Sequence, residues 1–248
     1  MADVARRVVS LVPSVTEALL AWGVEPVACT RFCEQPSLPH VGGTKDPDVA
    51  AIVALAPDLV VVCDEENRRE DAEALAGAGL RVHSCSPRSV ADVEPALAAL
   101  ADAVGVHPPP ERRGGPLPEL EPLPCRAFVP IWRRPWMSLA ADTYGSSLLA
   151  AIGVGNVVAD AASLGLDPGD RYPAVDLGAV ASVEPDVVLA PSEPYAFRPR
   201  HLDELAEVAP VVEVDGQDLF WWGVRTPAAA LRLHAAVGAA LLGHGGRG

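Results

Sequence analysis

Four of the chain's five tryptophans fall in two short segments, Ile131-Trp132-Arg133-Arg134-Pro135-Trp136 and Phe220-Trp221-Trp222-Gly223-Val224-Arg225. With only 5% aromatic residues overall, that clustering is a signal. Indole faces beside guanidinium groups suit a large planar or amide-fringed ligand, because stacking and cation–π contacts contribute about 0.5–2 kcal/mol each. Arg31-Phe32-Cys33-Glu34 and Pro194-Tyr195-Ala196-Phe197 add further rings. The competing reading is that these aromatics fill a core between two halves of the molecule. If Trp221 and Trp222 are neighbours on a strand they face opposite ways, so one of them meets the ligand. The clustered acids Asp64, Glu65 and Glu66 suit a metal or the amide hydrogens of a ligand, and equally a solvated loop. Gly42-Gly43, before Thr44, reads as a turn that lets a ligand approach, since neither the Walker spacing nor Gly-x-Gly-x-x-Gly after a strand is present.

Catalytic chemistry is thinly supplied. Ser10, Ser14 and Ser192 lack a Gly-x-Ser-x-Gly elbow, and the histidines at 40, 83, 107, 201, 234 and 244 show no ligand spacing. Only His40 and His201 fall near the expected strand tips. An enzyme using Glu65, Glu66 or His40 as acid–base groups is the alternative to a binder. The five cysteines, Cys29, Cys33, Cys63, Cys85 and Cys125, are odd in number and scattered, as reduced thiols are. Cys29 and Cys33 are spaced to share a metal, but no second pair completes a zinc site.

The elements that must position these groups alternate from the start. Arg7–Val12 reads as a buried strand, and Thr16–Trp22 as a helix with Ser14 as N-cap and Gly23 as its stop. Val27–Thr30 is the next strand, Val49–Leu55 a helix, and Asp58–Cys63 a fully buried strand of the parallel type. Arg68–Ala78 and Val90–Val104 are helices flanking a strand at Arg81–Cys85. A Pro-rich stretch follows, then the plan restarts with a strand at Arg126–Trp132 and a helix at Thr143–Ile152. Val49 to Val61 echoes Leu177 to Leu189 at a constant offset of 128, each copy a short helix, a Pro-Asp turn and a buried strand. The expected architecture is therefore α/β: two similar Rossmann-like lobes with mainly parallel sheets facing a central cleft. The expected domains are 1–106, a Pro-rich linker at 107–125 and a second lobe at 126–248. Ligands of open sheets bind at the carboxyl ends of the strands, so function is expected in the loops after each strand.

A formal charge of −14 repels phosphate backbones and anionic lipid, which argues against nucleic acid and membrane surfaces as partners. No apolar run of ~18 residues is present to span a bilayer. Met1-Ala2-Asp3-Val4-Ala5-Arg6-Arg7 passes directly into a short apolar run with no cleavage pattern, so the expected location is the cytoplasm.

The same tips resemble the helical-backbone metal receptor family, which is class III periplasmic-binding-protein-like, and within it the cobalamin-binding proteins. The resemblance runs through Ser10-Leu11-Val12-Pro13-Ser14-Val15-Thr16-Glu17, Arg31 to Pro36, Val41 to Lys45, Glu65 to Glu70, Ile131 to Met137, Asp142-Thr143-Tyr144, Arg171-Tyr172-Pro173, Glu193-Pro194-Tyr195 and Trp222 to Pro227. By position it implies Phe32, Gly43, Thr44, Glu66, Asn67, Trp136, Trp222 and Arg225 as ligand contacts. The residues' own chemistry adds Glu65, Trp132, Tyr195 and Phe197. The implied ligand is cobalamin or a related metal tetrapyrrole, and the leading expectation is a cytoplasmic carrier, store or sensor. Transport members of the family carry a long helix between lobes where this chain is Pro-rich. They also present one Glu per lobe to permease arginines, where this chain has Ala50 and Gly178, so docking on an ABC permease is not expected. The binding component of an ABC importer is the remaining alternative.

Overall fold

The computed structural model describes residues 7–244; the first six residues of the expected first lobe and the last four of the second lie outside them. Two compact units emerge. One holds the described residues up to Pro87 with Ala91–Gly115, and the other Arg88–Val90 with the described residues from Pro116 onward.

The first unit alternates strand and helix: β1 (Val8–Ser10), α1 (Pro13–Ala21), β2 (Ala28–Cys29), α2 (Val49–Ala54), β3 (Leu59–Val62), α3 (Arg69–Gly77), β4 (Val82–Ser84) and α4 (Val90–Val104), with the sheet ordered β2-β1-β3-β4. All three pairings are parallel. Parallel strands need crossover helices on the sheet faces, which is why β3 is a run of four apolar residues, all buried. Val9, Val60 and Val62 pack with Ile52 of α2 and Leu75 of α3, each such side chain contributing about 1.5–3 kcal/mol when fully withdrawn from water.

The second unit runs β5 (Cys125–Phe128), β6 (Pro130–Trp132), β7 (Met137–Ser138), α5 (Tyr144–Ala151), β8 (Val154–Asn156), α6 (Leu177–Ser182), β9 (Val187–Pro191), α7 (Pro199–Ala206), β10 (Val211–Val214), α8 (Gly216–Phe220) and α9 (Thr226–His244). Its main sheet is ordered β10-β9-β5-β8 and is again parallel. With β5 in the place of β1, this is the first unit's order. The hairpin β6–β7 is the addition. Phe128, Val158, Val180, Val188 and Leu205 form its core.

The echo seen in the sequence is reproduced bond for bond. Asp58 accepts the backbone N–H of Arg7 at 2.9 Å and returns its own N–H to the Arg7 carbonyl at 2.8 Å, while the Arg7 guanidinium reaches the Leu55 carbonyl. Asp186 and Arg126 repeat the exchange at 2.7 and 2.8 Å, with the Arg126 guanidinium on the Val183 carbonyl. Ala56 and Glu184, 128 residues apart, both take positive φ, 45° and 49°, to make the turn. The carboxylate that caps the entry of the buried strand is what the Pro-Asp pair supplies.

Two local expectations are corrected. Ser14 is not the N-cap of α1: Pro13 occupies the first turn, Val12 takes the cap, and Ser14 is buried inside the helix. Trp221 and Trp222 are not on a strand, because Asp215 caps α8 and the helix runs up to Phe220. Around Pro110–Arg113 the Pro-rich stretch forms one short 3-10 turn, and Trp22 of the first unit donates its indole N–H to the Arg112 carbonyl.

Candidate functional site

In the first unit the carboxyl ends of four parallel strands bring together the β1–α1 turn, the segment after β2, the 41–48 loop and the tips of β3 and β4. Asn67 ties three of these to one another. Its side-chain nitrogen donates to the carbonyls of Thr44 at 2.9 Å and Leu11 at 3.2 Å, and its oxygen accepts the Cys63 N–H at 2.8 Å. It is 6% exposed. Its amide is therefore engaged in holding the rim that Thr44, Glu65 and Glu66 share.

Beside it, Phe32 stands 51% exposed on a 3-10 turn, Arg31–Cys33, capped by the Thr30 hydroxyl. The Arg31 guanidinium lies 4.9 Å from the centre of the Phe32 ring and is ion-paired with Asp46 at 2.9 Å. Gly43 passes beneath that pair. A Cβ there would come within 2.4 Å of the Asp46 carboxylate and 2.7 Å of the Arg31 guanidinium, so a larger residue would push those two exposed side-chain ends aside and disturb their pairing. Lys45 donates to the Glu65 carbonyl at 2.6 Å. A cavity of about 540 Å³ opens next to this rim, lined by Val62, Cys63, Asp64, Ala72 and Ser84. Burial pushes the Cys63 thiol up to about 12, so it is a neutral wall of that cavity.

In the second unit four of the rings singled out from sequence meet. Trp132 stands edge-on to Tyr195 with centroids 5.1 Å apart, Tyr195 lies 5.0 Å from Phe197, and Phe197 stacks on Trp136 at 5.9 Å. The β6–β7 hairpin supplies the two indoles and the segment after β9 the other two rings. Arg133 sits over the Trp136 ring at 5.4 Å and grips Glu204 of α7 with two nitrogens, the shortest contact 2.6 Å. That pairing holds the Glu204 carboxyl below its usual range. His201 closes the cluster from beneath, 2% exposed and 5.8 Å from Tyr195. Its Nδ1 accepts the Arg198 N–H, and burial, with the Arg133 charge behind it, keeps the imidazole below its ordinary value and neutral. Trp132 remains 45% exposed, a ring face open at the end of a packed row.

Trp222 and Arg225 follow the end of α8. Trp222 is 4% exposed, whereas Trp221, which the sequence reading passed over, is half-buried and donates its indole N–H to Glu193 at 2.7 Å. Arg225 lies over the Trp221 ring at 4.9 Å and also reaches Gln217 and the buried Asp218, which Arg232 holds from the other side. Gly216 is required here, since a Cβ would fall within 2.6 Å of the Glu193 backbone. The signal for Trp221 was the acid at Glu193, two residues before the Tyr195 already chosen; pairing them needs the fold.

Among the described residues no group of three or more His, Cys, Asp or Glu side chains is placed to hold a metal ion, and no helix is long and apolar enough to cross a membrane. His40 is exposed, with its ring 3.1 Å from the Gln35 carbonyl.

No protein-family model matches the chain. A vitamin B12-binding protein of Yersinia pestis is 26% identical over 177 residues, covering 64% of this chain and 62% of that protein's length. Among solved structures, the periplasmic vitamin B12-binding protein BtuF of Vibrio cholerae superposes with a TM-score of 0.71 at 17% identity, over 96% of this chain and 98% of its own. The periplasmic haem-binding protein RhuT of Roseiflexus sp. RS-1 does so with 0.73 at 20% identity, over 93% and 97%. The fold is that of class III periplasmic binding proteins. These likenesses also overturn the expected cytoplasmic location, since structures that match along nearly the whole chain include those of periplasmic vitamin B12- and haem-binding proteins.

Proposed function

Because the chain belongs to the class III periplasmic-binding-protein-like family, we propose that it is the binding component of an ABC importer, taking a cobalamin- or haem-type tetrapyrrole outside the cytoplasm. One observation carries this reading: the continuous row Trp132–Tyr195–Phe197–Trp136 at the strand tips of the second unit, one end open to solvent. A rigid aromatic row with an exposed indole offers a flat ligand a large apolar contact at small entropic cost. In the first unit Phe32 offers a second ring and Thr44, Glu65 and Glu66 offer polar groups to amide fringes. Cobalamin is the favoured ligand, on the strength of the Yersinia and Vibrio relatives; haem is the second reading, on the likeness to RhuT.

Docking on a permease need not use Ala50 and Gly178. Both stand exposed on α2 and α6, and the N-caps two residues earlier are the exposed carboxylates Asp48 and Asp176. Each spends one oxygen on its helix, accepting from Ala51 and Ala179 at 2.9 Å. They supply one acid per unit on equivalent elements. Titration of the protein with cyanocobalamin and, separately, haemin, followed by tryptophan quenching and the ligand's visible band, tests the proposal. Saturable binding of one of them is expected, and no response from folded protein to either would remove it.

A further inference from the structure

Cys29 ends β2, and Cys33 ends the single 3-10 turn that follows. The turn is closed by the Cys33 N–H donating to the Thr30 carbonyl at 3.1 Å. Both cysteines are free thiols, and their side chains share one small buried cluster. Leu38 packs on both, and they are 0% and 2% exposed. The hydroxyls of Thr16 and Thr30 each stand 3.2 Å from the Cys33 sulfur, fixing its direction. The backbone around the pair is already stitched to the 39–42 segment, through Cys29 N–H to Pro39 O at 3.0 Å and Arg31 N–H to Gly42 O at 2.9 Å.

We propose that Cys29 and Cys33 are the two ends of a disulfide, closed during folding in an oxidising space and sealed beneath Leu38 once the turn forms. The oxidising space follows from the extracytoplasmic reading above; the chemistry of the pair does not. In the folded chain burial, with Cys33 adding to it, pushes the Cys29 thiol up to about 12, which leaves almost no thiolate to attack anything at neutral pH. In the unfolded chain a cysteine thiol has its ordinary value of about 8.5, and the two are four residues apart, close enough to react with each other. One thiolate attacks a small disulfide such as oxidised glutathione and releases a first glutathione thiol. The other then attacks the mixed disulfide and releases a second. Two electrons and two protons pass from the protein to the two glutathione thiols, and one S–S bond is made for one broken. The bond would brace the turn that presents Phe32.

The test is to refold reduced, denatured protein in a glutathione redox buffer, alkylate the remaining thiols after denaturation, and digest with trypsin without reduction. Arg31 lies between the two cysteines, so the bond joins the peptide ending at Arg31 to the one beginning at Phe32. The linked pair is expected from wild type and absent from Cys33→Ser, whose hydroxyl retains the bonds to Thr16 and Thr30. The linked form is expected to melt a few degrees higher than the same sample after dithiothreitol. Recovery of both peptides separately alkylated, or of Cys29 joined to any other cysteine, overturns the proposal. Because the readout is the wild-type chain's own sulfur chemistry, failure of tetrapyrrole binding leaves this result standing, and the reverse.

Discussion

The side-chain nitrogen of Asn67 lies 2.9 Å from the Thr44 carbonyl oxygen and donates to it, while the same amide also holds Leu11 and Cys63. Three loops of the first unit thus share one buried hydrogen-bonding group. Asn67→Ala removes three bonds and leaves two carbonyls and an N–H without that partner, which is expected to cost about 2–4 kcal/mol. Urea unfolding followed by circular dichroism measures it, and a loss under about 1 kcal/mol would show that water replaces the amide. Hydrogen exchange should rise at residue 63 in the same variant.

Trp132 and Phe197 belong to one row of rings but differ in burial, which separates binding from stability. Trp132→Ala removes an exposed indole, so unfolding should move by less than about 1 kcal/mol while tetrapyrrole affinity falls roughly tenfold. Phe197 packs against the core of the second unit. Phe197→Ala should cost about 2–4 kcal/mol, toward the low end of aromatic truncations because the ring is only part-buried. Equal stability losses in the two variants would contradict the placement.

Trp221→Phe keeps a ring under Arg225 and removes only the indole N–H that meets Glu193. A bond to a carboxylate contributes about 1.5–3 kcal/mol, and partial exposure puts the expected loss near the lower figure. The Glu193→Gln variant should lose less, and the double variant little more than Trp221→Phe alone. Additive losses in that cycle would show that the two side chains are not coupled.

Acidification should destabilise the fold in two windows. His83 and His201 have folded values below 6.5, His83 through burial with Arg81 nearby and His201 through burial with Arg133 nearby. Each contributes its full stability above pH 6.5 and loses it as pH falls from there toward the folded value, since the unfolded chain binds the proton first. Glu204, held below 4.5 by Arg133, keeps its contribution above that value and loses it as pH falls through the lower one. Denaturant midpoints from pH 7.5 to 5 should therefore fall, and the fall should be shallower in a His83→Gln, His201→Gln double variant. A wild-type midpoint that rises across that range would contradict the burial of both rings.

Much of the scaffold was legible in the sequence because its signals are local. The Pro-Asp turns at Asp58 and Asp186 announce a helix ending and a buried strand beginning, and the fold uses both carboxylates for that purpose. Clustering of Trp132, Trp136, Tyr195 and Phe197 was legible for the same reason: two segments rich in rings. What escaped depends on distant partners. Nothing near Asn67 says that its amide is committed to residues 11 and 44, and the choice of Trp222 over Trp221 turned on a strand that is in fact the end of α8. Ser14 was misplaced because a good capping residue loses to a proline already fixed in helical φ. The cytoplasmic expectation rested on the first residues of the sequence and on the scatter of the cysteines, local features that the likeness to periplasmic proteins overrides.

The most direct test is a cyanocobalamin titration of wild type, Trp132→Ala and Phe32→Ala, read by tryptophan quenching and checked by calorimetry. Wild type should saturate at one ligand per chain, and each substitution, one in either unit, should weaken binding about tenfold with the fold intact. Saturation unchanged by both substitutions would contradict the assignment of these rings to ligand recognition.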